Sequence, residues 1–470
     1  MSSNEKITNY FDKTASKRSA WMRRRWYYYN LLIRQLKYLI PEGSSVLDIA
    51  CGTGNLLAAL KPSKGMGVDI SSECIKIAHE RFPNLTFTQG DAHKAKIKGT
   101  FDYIILVNAV GYFNDIQKVL ENFKTNCDQN TRIIIVHYNF LWYPMLKAGE
   151  ALGLKMREPI QNWVSPNDVT NFISLAGYDL IKTGSKIIMP VWLPLISNLS
   201  NKYIANLPGM HLLNLAQFYV ARLPVPLKNE EKTCSIVIPA RNEMGNIEAA
   251  VKRTPELGKH TEIIFVEGNS TDDTWKEIQR VAKKYGKQRT IRIAKQPGKG
   301  KGDAVRKGFD IARNNILFIL DADLTVEPEE MTKFYELIAS GKGEFINGSR
   351  LVYPMEEKAM RPINLFGNKM FSLIFTYLLG QRFKDTLCGT KVLTKKNYEK
   401  IATNRSYFGD FDPFGDFDLI FGAAKQNMKI VELPIRYKQR TYGETNISRF
   451  KHGWILLRMC FFAMRKIKFI

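Results

Sequence analysis

Cysteines are few in this 470-residue chain, and they fall into no metal-binding spacing. The six cysteines are scattered, and no two of them form a Cys-x-x-Cys pair. Structural zinc sites usually depend on such pairs, and stable disulfides belong to oxidising compartments. The pattern therefore argues against a zinc site and favours a reducing compartment.

Long apolar runs are missing as well. Residues 1–7 show no apolar core of a secretory signal. No uninterrupted apolar run reaches the roughly 18 residues that a membrane-spanning helix needs. The nearest candidate, residues 187–196, contains Pro190 and Pro194. We therefore expect a cytoplasmic protein that is soluble or lies peripherally on the inner face of the membrane.

Acidic residues are scarce relative to basic ones. The chain has 45 Asp and Glu against 69 Lys and Arg, a formal net charge of +24. Such an excess indicates an anionic partner: nucleic acid, an acidic membrane surface or a phosphorylated substrate. The length and the 45% of hydrophobic residues are sufficient for two domains, each with its own core.

The first half of the chain alternates between short apolar segments and helical patterns. The segments predicted as strands are residues 46–50, 67–70, 85–87, 101–107 and 132–137. Alternation of this kind predicts a parallel, doubly wound α/β sheet. Glycines follow the first strand, where backbone N–H groups can approach a ligand at a helix N-terminus. An acid ends the second strand, where it can accept both hydroxyls of a ribose.

Three motifs in this order resemble the class I S-adenosylmethionine-dependent methyltransferases. They are Asp48-Ile-Ala-Cys-Gly-Thr-Gly54, Gly67-Val-Asp69 and Gly90-Asp91-Ala92. The resemblance implies S-adenosylmethionine as the cofactor, and Asp48 and Ala92 belong to its motifs. It also implies these roles: the methionine and ribose part for Gly52 and Gly54, the ribose for Asp69, the adenine amine for Asp91, and the sulfonium for Asn108. The methyl acceptor stays open, with His137 as one candidate base.

Two stretches of this half stand outside the predicted sheet. Residues 17–29 interleave basic and aromatic side chains. This composition suits a membrane interface or a nucleic-acid backbone, and it suits a basic outer helix face equally well. Residues 187–227 are rich in Pro, Leu, Trp and Tyr, and we expect an irregular apolar segment that packs on the domain or touches lipid.

A polar break at residues 228–233 separates the two halves. We therefore predict a first domain over residues 1–227, a second over residues 232–450, and a basic, apolar tail over residues 451–470. Arg458 interrupts the tail, which favours a helix in the membrane interface over one that crosses the bilayer.

The second half alternates in the same way, with strands predicted at residues 234–240, 262–266, 291–294 and 316–320. Residues 298–302 alternate glycine and lysine before a helical pattern, which suits a diphosphate. The last strand runs into Asp321-Ala-Asp323, whose carboxylates point the same way because side chains alternate along an extended chain. Oxygen ligands of this kind suit Mg²⁺ or Mn²⁺.

Four motifs together resemble the family 2 glycosyltransferases of GT-A fold, and among them the dolichyl- or polyprenyl-phosphate sugar transferases. They are Ile236-Val-Ile-Pro-Ala-Arg-Asn-Glu243, Gly268-Asn-Ser-Thr-Asp272, Gly300-Lys-Gly-Asp-Ala-Val-Arg-Lys-Gly308 and Asp321-Ala-Asp323. The expected fold class is thus α/β with two doubly wound domains, a Rossmann-like methyltransferase followed by a GT-A glycosyltransferase.

The resemblance also implies a nucleotide-sugar site. We expect the nucleoside to be bordered by Pro239, Arg241, Glu243 and Glu267. We expect the diphosphate to lie beside Lys301 and Gly302. Asp323 would ligate the metal directly, with Asp321 beside it. The chain departs from the family at Glu267, where Asp is usual, and at Thr325, where some relatives carry a metal-binding Gln.

Arginines in the acceptor half match positions of the phosphate-acceptor subgroup, namely Arg350, Arg361 and Arg440. A guanidinium fork suits a phosphate, and three at one site would be costly without an anion. A phosphate monoester is ionised at neutral pH and attacks without a base. A hydroxyl acceptor would need one, with Asp416 or Asp418 as candidates.

Together these expectations predict a bifunctional transferase. It would move a sugar from a nucleotide-sugar to a polyprenyl phosphate or lipid-linked glycan with inversion, and a methyl group from S-adenosylmethionine. An anionic membrane surface would be a further partner. The alternative is transfer to a saccharide or protein hydroxyl, with a methyltransferase domain that modifies the glycan or is inactive. A nucleic-acid-binding protein is the weakest hypothesis, because lipid and phosphates account for the charge equally well.

Overall fold

The structure is a computed structural model that describes residues 3–159, 161–162, 164–353, 362–407, 415–440, 442 and 449–469. The chain divides into two compact units, Met1–Pro224 with Lys468–Ile470, and Val225–Ile467. Each unit has a sheet and apolar clusters of its own. Within the described ranges, no helix is both long enough and apolar enough to cross a bilayer.

The described part of the first unit forms a seven-stranded sheet in the order β3-β2-β1-β4-β5-β7-β6. Its strands are β1 (Ser45–Ile49), β2 (Lys64–Asp69), β3 (Thr86–Gln89), β4 (Tyr103–Val107), β5 (Arg132–Tyr138), β6 (Asp179–Lys186) and β7 (Ala216–Arg222). Strands β1 to β5 pair in parallel, and β7 runs antiparallel to both β5 and β6.

Helices cover both faces of this sheet, which explains why its strands are apolar throughout rather than alternating. In β5, Ile134 and Val136 join the apolar cluster on one face, and Ile133 and Ile135 join the cluster on the other. The helices are α1 (Ser3–Arg24), α2 (Trp26–Leu39), α3 (Asn55–Leu60), α4 (Ser72–Arg81), α5 (Ile116–Asn122), α6 (Tyr143–Ala151), α7 (Pro166–Leu175) and α8 (Ile196–Lys202).

The apolar segment of residues 187–227 is only partly irregular, which corrects the sequence prediction. Its residues 216–222 form β7, which inserts between β5 and β6. Strand β7 is buried along almost its whole length, from Ala216 to Arg222. Its place in the sheet depends on pairing with strands that lie far away in the sequence, so local composition does not reveal it.

The described part of the second unit also forms a seven-stranded sheet, in the order β10-β9-β8-β11-β13-β12-β14. Its strands are β8 (Thr233–Ala240), β9 (His260–Glu267), β10 (Thr290–Lys295), β11 (Ile316–Ile319), β12 (Phe345–Ser349), β13 (Lys391–Thr394) and β14 (Ile430–Pro434). Strand β13 is antiparallel to β11 and β12, and the other pairs are parallel. The predicted fold class, α/β with two doubly wound domains, is confirmed.

The helices of the second unit are α9 (Ile247–Arg253), α10 (Thr274–Tyr285), α11 (Lys301–Ile311), α12 (Met331–Ala339), α13 (Pro362–Leu379), α14 (Lys395–Thr403), α15 (Asp416–Lys425) and α16 (Arg449–Ile467). Helix α16 runs across residue 450, where the second domain was expected to end. One side of it, with Leu456 and Met459, joins the same apolar cluster as Phe375 of α13. The other side exposes Trp454 and Phe461.

Helix α11 lies so close to β8 that only glycine fits at the contact. A Cβ on Gly308 would lie 2.3 Å from Cγ1 of Val237. This close approach fixes the position of the N-terminal end of α11 relative to the sheet. That end carries Lys301, so the contact also bears on the candidate site.

Replacing Gly308 by Ala should therefore destabilise the second unit. Overpacking costs about 1 to 3 kcal/mol, more than the roughly 1 kcal/mol that Ala gains over Gly in a helix. Gly367 in α13 is the matched control, because a Cβ there would meet nothing within 4 Å. Chemical denaturation should show a lower free energy of unfolding for Gly308→Ala and an unchanged or higher one for Gly367→Ala. Equal effects would contradict the packing argument.

Candidate functional sites

A cavity in the first unit opens at the carboxyl ends of β1, β2 and β4. Its wall includes the turn after β1, where Ala50, Gly52 and Gly54 have φ values of 61°, 54° and 72°. Gly54 also has a steric role, because a Cβ there would lie 2.7 Å from Cζ of Phe87. At Gly52 the nearest atom to an added Cβ is Nε of Arg18, at 3.9 Å. The turn thus keeps its backbone open toward the cavity.

Two buried carboxyl groups lie beside this turn. Asp69 accepts hydrogen bonds from the backbone N–H groups of Gly52, at 2.8 Å, and Ser71, at 2.9 Å. Burial raises the pKa of Asp69, and these two hydrogen bonds oppose the shift. Burial, reinforced by the charge of Asp69, raises the pKa of Asp48 well above its usual range. Within the described residues, Oδ2 of Asp48 is buried without a hydrogen-bond partner.

Three further predicted residues line the same cavity, Asp91 and Ala92 after β3, and Asn108 after β4. Asp91 accepts from the backbone N–H of His93 at 3.0 Å and from Nδ2 of Asn4 at 3.0 Å. Burial alone would raise the pKa of Asp91, but the hydrogen bonds from His93 outweigh it and lower the pKa. Of the predicted cofactor positions, the structure thus brings Gly52, Asp69, Asp91, Ala92 and Asn108 to one cavity, whereas Asp48 and Gly54 are not among its lining residues.

Asn108 has a left-handed backbone with φ 53°, which turns its side chain at the end of β4. Its Nδ2 donates to the hydroxyl of Tyr28 at 3.1 Å. Its Oδ1 is buried, and no partner for it is found in the described part of the chain. The amide is therefore held in place by one end while its oxygen keeps a free hydrogen-bonding position at the cavity.

Arg18 is a cavity residue that the sequence analysis placed within a basic outer stretch. Its guanidinium lies over the ring of Phe11 at 4.8 Å, and Nη1 is buried with no partner among the described residues. A signal was present in the sequence, because Phe11, Ala15, Arg18 and Met22 follow helical spacing on α1. A cation on an otherwise apolar helix face, beside a glycine turn, is suited to bind a carboxylate.

His137, one candidate base, is not among the residues that line this cavity. It is buried, and burial lowers its pKa to about 4. Neither ring nitrogen has a hydrogen-bond partner within the described ranges. Its surroundings are those of a neutral histidine in the core rather than of a group that exchanges protons with a substrate.

In the second unit, the two aspartates after β11 each face a cation from another part of the chain. Oδ1 of Asp321 lies 2.5 Å from Nζ of Lys301, at the start of α11. Oδ2 of Asp323 accepts from Nη2 of Arg440 at 2.7 Å. Burial alone would raise the pKa of Asp321, but Lys301 outweighs it and lowers the pKa.

Arg440 links the aspartates to Glu243, whose Oε1 accepts from Nη1 of Arg440 at 3.0 Å. Burial raises the pKa of Glu243 from 4.5 to about 7. Arg440 opposes this shift, whereas the negative charges of Asp323 and Asp321 add to it. Three carboxyl groups and two cations therefore share one site.

The loop before β13 passes directly over this site. A Cβ on Gly389 would lie 2.1 Å from Oδ2 of Asp321 and 2.2 Å from Nζ of Lys301. Only glycine permits this approach, so residue 389 shields the ion pair without displacing it. At the start of β13, buried Lys391 donates to Oδ1 of Asp416 at 2.8 Å.

Arg350 has a protein partner of its own. Its Nε and Nη2 donate to the two carboxylate oxygens of Asp385, at 2.7 Å and 2.9 Å. Clustered arginines were expected to need an anion, and the protein itself supplies one to Arg350, through Asp385, and to Arg440, through Glu243 and Asp323. Arg361 lies outside the described residues.

The two candidate bases on α15 point to different neighbours. Asp416 pairs with Lys391, whereas Oδ2 of Asp418 accepts from Nε of Arg405 at 2.9 Å. Residues two positions apart on a helix do not share a face. Both carboxylates already accept a hydrogen bond from a cation.

The remaining predicted donor-site residues lie around the ends of β8 and β9. Glu267 is buried and accepts from the backbone N–H of Ser270 at 2.5 Å. Pro239 is half-buried, and Arg241 is exposed. Gly302 lies in the first turn of α11, where a Cβ on Gly415 would come within 2.9 Å of its Cα.

A divalent cation fits the aspartate pair only with ligands from elsewhere. Within the described residues there is no group of three or more His, Cys, Asp or Glu side chains that could hold a metal. Mg²⁺ is commonly bound by one or two carboxylates, with substrate phosphates and water completing the shell. Asp321 and Asp323 match that pattern. Thr325 orients the second of them by donating from Oγ1 to Oδ1 of Asp323 at 2.9 Å.

Two family models match this chain, one within each compact unit. A family model described as "Methyltransferase domain" matches residues 40–174, and one described as "Glycosyl transferase family 2" matches residues 235–402. The first match contains the glycine turn and the predicted cofactor residues up to Asn108. The second contains the aspartate pair, Lys301, Arg350 and Gly389.

Curated relatives match about half of this chain. Glycosyltransferase AglJ of Haloferax volcanii is 27% identical over 47% of this chain and 68% of its own length. A dolichol-phosphate mannosyltransferase of Pyrococcus furiosus is 30% identical over 46% of this chain and 59% of its own length. The dolichyl-phosphate beta-glucosyltransferase ALG5C of Trichomonas vaginalis is 28% identical over 48% of this chain and 69% of its own length.

The raised pKa of Glu243 should make the stability of the second unit depend on pH. Between pH 4.5 and about 7 the folded chain keeps a proton that the unfolded chain releases. Stability from this group therefore falls as pH rises through that window, by about 3 kcal/mol in total. In Glu243→Gln this contribution is absent. The free energy of unfolding of the variant should therefore increase relative to that of the parent as the pH rises. Chemical denaturation across this pH window tests the prediction, and Glu336→Gln at an exposed position of α12 serves as the control variant. Parallel plots of unfolding free energy against pH for Glu243→Gln and the parent would contradict it.

Proposed function

We propose that this chain, which joins a methyltransferase domain to a family 2 glycosyltransferase domain, catalyses two group transfers. The second unit moves a sugar from a nucleotide-sugar donor to a polyprenyl phosphate or lipid-linked acceptor. The first unit moves a methyl group from S-adenosylmethionine. The observation that carries the sugar transfer is the charge-balanced cluster in which Asp321 and Asp323 meet Lys301 and Arg440.

The proposed donor site uses these charges to hold a nucleoside diphosphate. Asp321 and Asp323 would hold Mg²⁺ or Mn²⁺, which neutralises charge on the leaving diphosphate when it is bound. Lys301 offers its ammonium group, and the first turn of α11 offers free N–H groups. Glu267 and Pro239 are proposed to border the nucleoside, with Arg241 and Glu243.

A phosphate acceptor agrees with the arrangement of the other charged groups. Asp385 holds Arg350 in one orientation through two hydrogen bonds, so its guanidinium is fixed before any ligand binds. A phosphate monoester is largely ionised at neutral pH and needs no general base. One displacement at the anomeric carbon then inverts it. The printed names of the Pyrococcus and Trichomonas relatives point to the same acceptor class.

The proposed methyltransferase site is the cavity of the first unit. Its unpartnered buried polar atoms suit S-adenosylmethionine, which supplies an activated methyl group when bound. We assign the cofactor carboxylate to Arg18, the ribose to Asp69 and the adenine to Asp91. Gly52, Gly54 and Asn108 are proposed to lie along the methionine part. Since the cofactor is intrinsically reactive, positioning alone supplies much of the catalysis.

We further propose that the enzyme works on the inner face of an anionic membrane. Exposed apolar side chains on helices of the second unit support this, with Leu373 on α13 at 69% exposure and Trp454 on α16 at 71%. The net charge of +24 favours an acidic surface.

Asp323→Asn should abolish the sugar transfer. The loss of one carboxylate weakens cation binding and leaves Arg440 without its partner. The assay uses radiolabelled nucleotide-sugars with detergent-dispersed polyprenyl phosphate and counts organic-extractable label. At least about a hundredfold loss is expected, and EDTA should act on the parent in the same way. Asp310→Asn, on the exposed side of α11, should retain the parent rate.

Absence of lipid-extractable label with every donor would reject the lipid-phosphate acceptor. Label appearing instead on a saccharide or protein would support the alternative acceptor, a hydroxyl. Thermal melting of Asp323→Asn separates lost catalysis from lost folding.

Arg18→Met should weaken S-adenosylmethionine binding by about tenfold to a hundredfold, as expected for a charge-assisted hydrogen bond. Methionine retains most of the side-chain volume and removes the charge. Calorimetric titration of the full chain measures the binding directly, without a methyl acceptor. Arg23→Met, on the exposed side of the same helix, is the control. Unchanged affinity in Arg18→Met would reject this assignment.

A further inference from the structure

One side of the first unit exposes a dense group of large apolar side chains. They come from Trp26, from residues 140–154 around α6, and from residues 191–213 around α8, which together we call the apolar face. Its most exposed aliphatic members are at 55% to 78% exposure, namely Met145, Leu152, Leu195, Ile196, Leu199 and Leu212. Scattered exposed apolar residues are normal on a soluble protein, but a continuous group of this size marks an interaction surface.

The three parts of the apolar face touch one another. The rings of Trp26 and Trp192 lie 6.2 Å apart. Nε1 of Trp142 donates to the carbonyl of Leu213 at 2.8 Å. Nδ2 of Asn139, just before the second part, donates to the carbonyl of Leu212 at 2.7 Å. The face is therefore one surface and not three separate loops.

Polar groups in this region point inward, while the apolar side chains point outward. Buried Asn201 accepts from the backbone N–H groups of Ile188 and Met189, at 2.9 Å and 3.0 Å. Buried Ser197 accepts from the N–H of Leu193 at 2.8 Å and donates to the carbonyl of Val191 at 2.7 Å. This is the reverse of an ordinary surface loop. It is what a segment in contact with lipid requires, because its backbone groups find no water there.

The charges around the apolar face are almost entirely positive. No acidic residue occurs between Asp179 and Glu230, or between Asp12 and Glu42. The one acid within the face, Glu150, lies 2.8 Å from Lys147 and 3.0 Å from Lys155.

Exposed basic residues and aromatic rings accompany this surface. Exposed Arg23 and Arg24 lie three and two positions before Trp26, and exposed Lys202 lies within the face. Trp192 and Tyr203 are exposed at 47% and 46%, and rings of this kind favour the headgroup level of a bilayer. Basic groups beside them are complementary to anionic lipid.

We propose that the apolar face is a membrane-docking surface, which inserts into one leaflet of an anionic bilayer without crossing it. A second copy of the chain fits less well, because two such faces would bring arginine against arginine. The proposal does not depend on either proposed reaction. It gives the methyltransferase unit a lipid contact of its own.

Vesicle co-sedimentation of the full-length protein tests the proposal. The probes are vesicles of phosphatidylcholine alone and vesicles with about one-third phosphatidylglycerol. The double variant Leu195→Glu/Leu199→Glu should lower the partition coefficient on the anionic vesicles by at least about tenfold. Leu175→Glu makes the same change at an exposed leucine of α7, outside the apolar face, and should bind as the parent does.

A second measurement is independent of charge reversal. Brominated phosphatidylcholine in the vesicles should quench tryptophan fluorescence of the parent, and less so in Trp192→Phe. Circular dichroism melting confirms that each variant is folded.

Three outcomes would overturn the proposal. The first is that Leu195→Glu/Leu199→Glu binds vesicles as well as the parent, including the case in which Trp454→Glu alone removes binding. The second is that the parent does not bind anionic vesicles. The third is a dimer of the parent, seen by light scattering, that the double variant dissociates, which would assign the face to a second copy. Because no substrate is present, a failed sugar or methyl transfer leaves these results unaffected.

Discussion

Carboxylates gathered in one partly buried site must be neutralised, and much of the second unit is arranged around this requirement. Asp321 and Asp323 follow β11, and Glu243 follows β8. Lys301 reaches them from the start of α11, and Arg440 from beyond β14, 117 residues after Asp323. An uncompensated charge in such a place would cost several kcal/mol. The same interactions that tie α11 and the C-terminal segment to the sheet therefore assemble the site proposed for a nucleotide-sugar.

The first unit meets the same constraint by different means. Asp69 is stabilised by the backbone N–H groups of Gly52 and Ser71. Asp48 remains buried, with a strongly raised pKa. Among the described residues that line the cavity, Arg18 of α1 is the one arginine, and its Nη1 is buried without a hydrogen-bond partner in that part of the chain. The second unit thus balances its charges internally. The first unit leaves polar groups without partners in its cavity, and these suit a zwitterionic cofactor.

The parallel strands β1 to β5 and β8 to β11 were predictable, because strands buried on two faces read as short apolar runs separated by helical patterns. The glycine turn and the aspartate pair were predictable as well, since each depends on a few consecutive residues. Strand β7 escaped prediction because its pairing with β5 and β6 is long-range. The partner of Arg350 also escaped it, because Asp385 lies 35 residues away and comes close only through packing. Helical spacing on α1 could have identified Arg18.

By itself, the sequence determined which local structures form and where their chemistry can sit: strand ends, left-handed glycines and the close spacing of Asp321 and Asp323 after a strand. Only the tertiary structure decided which charged groups pair with one another and which apolar side chains remain exposed. Residues 191–213 illustrate the second point. Composition marks them as apolar, but only the inward hydrogen bonds of Ser197 and Asn201 show that their side chains face outward. The physical reason is that local patterns record a preference for burial, whereas partners and exposure are set by long-range packing.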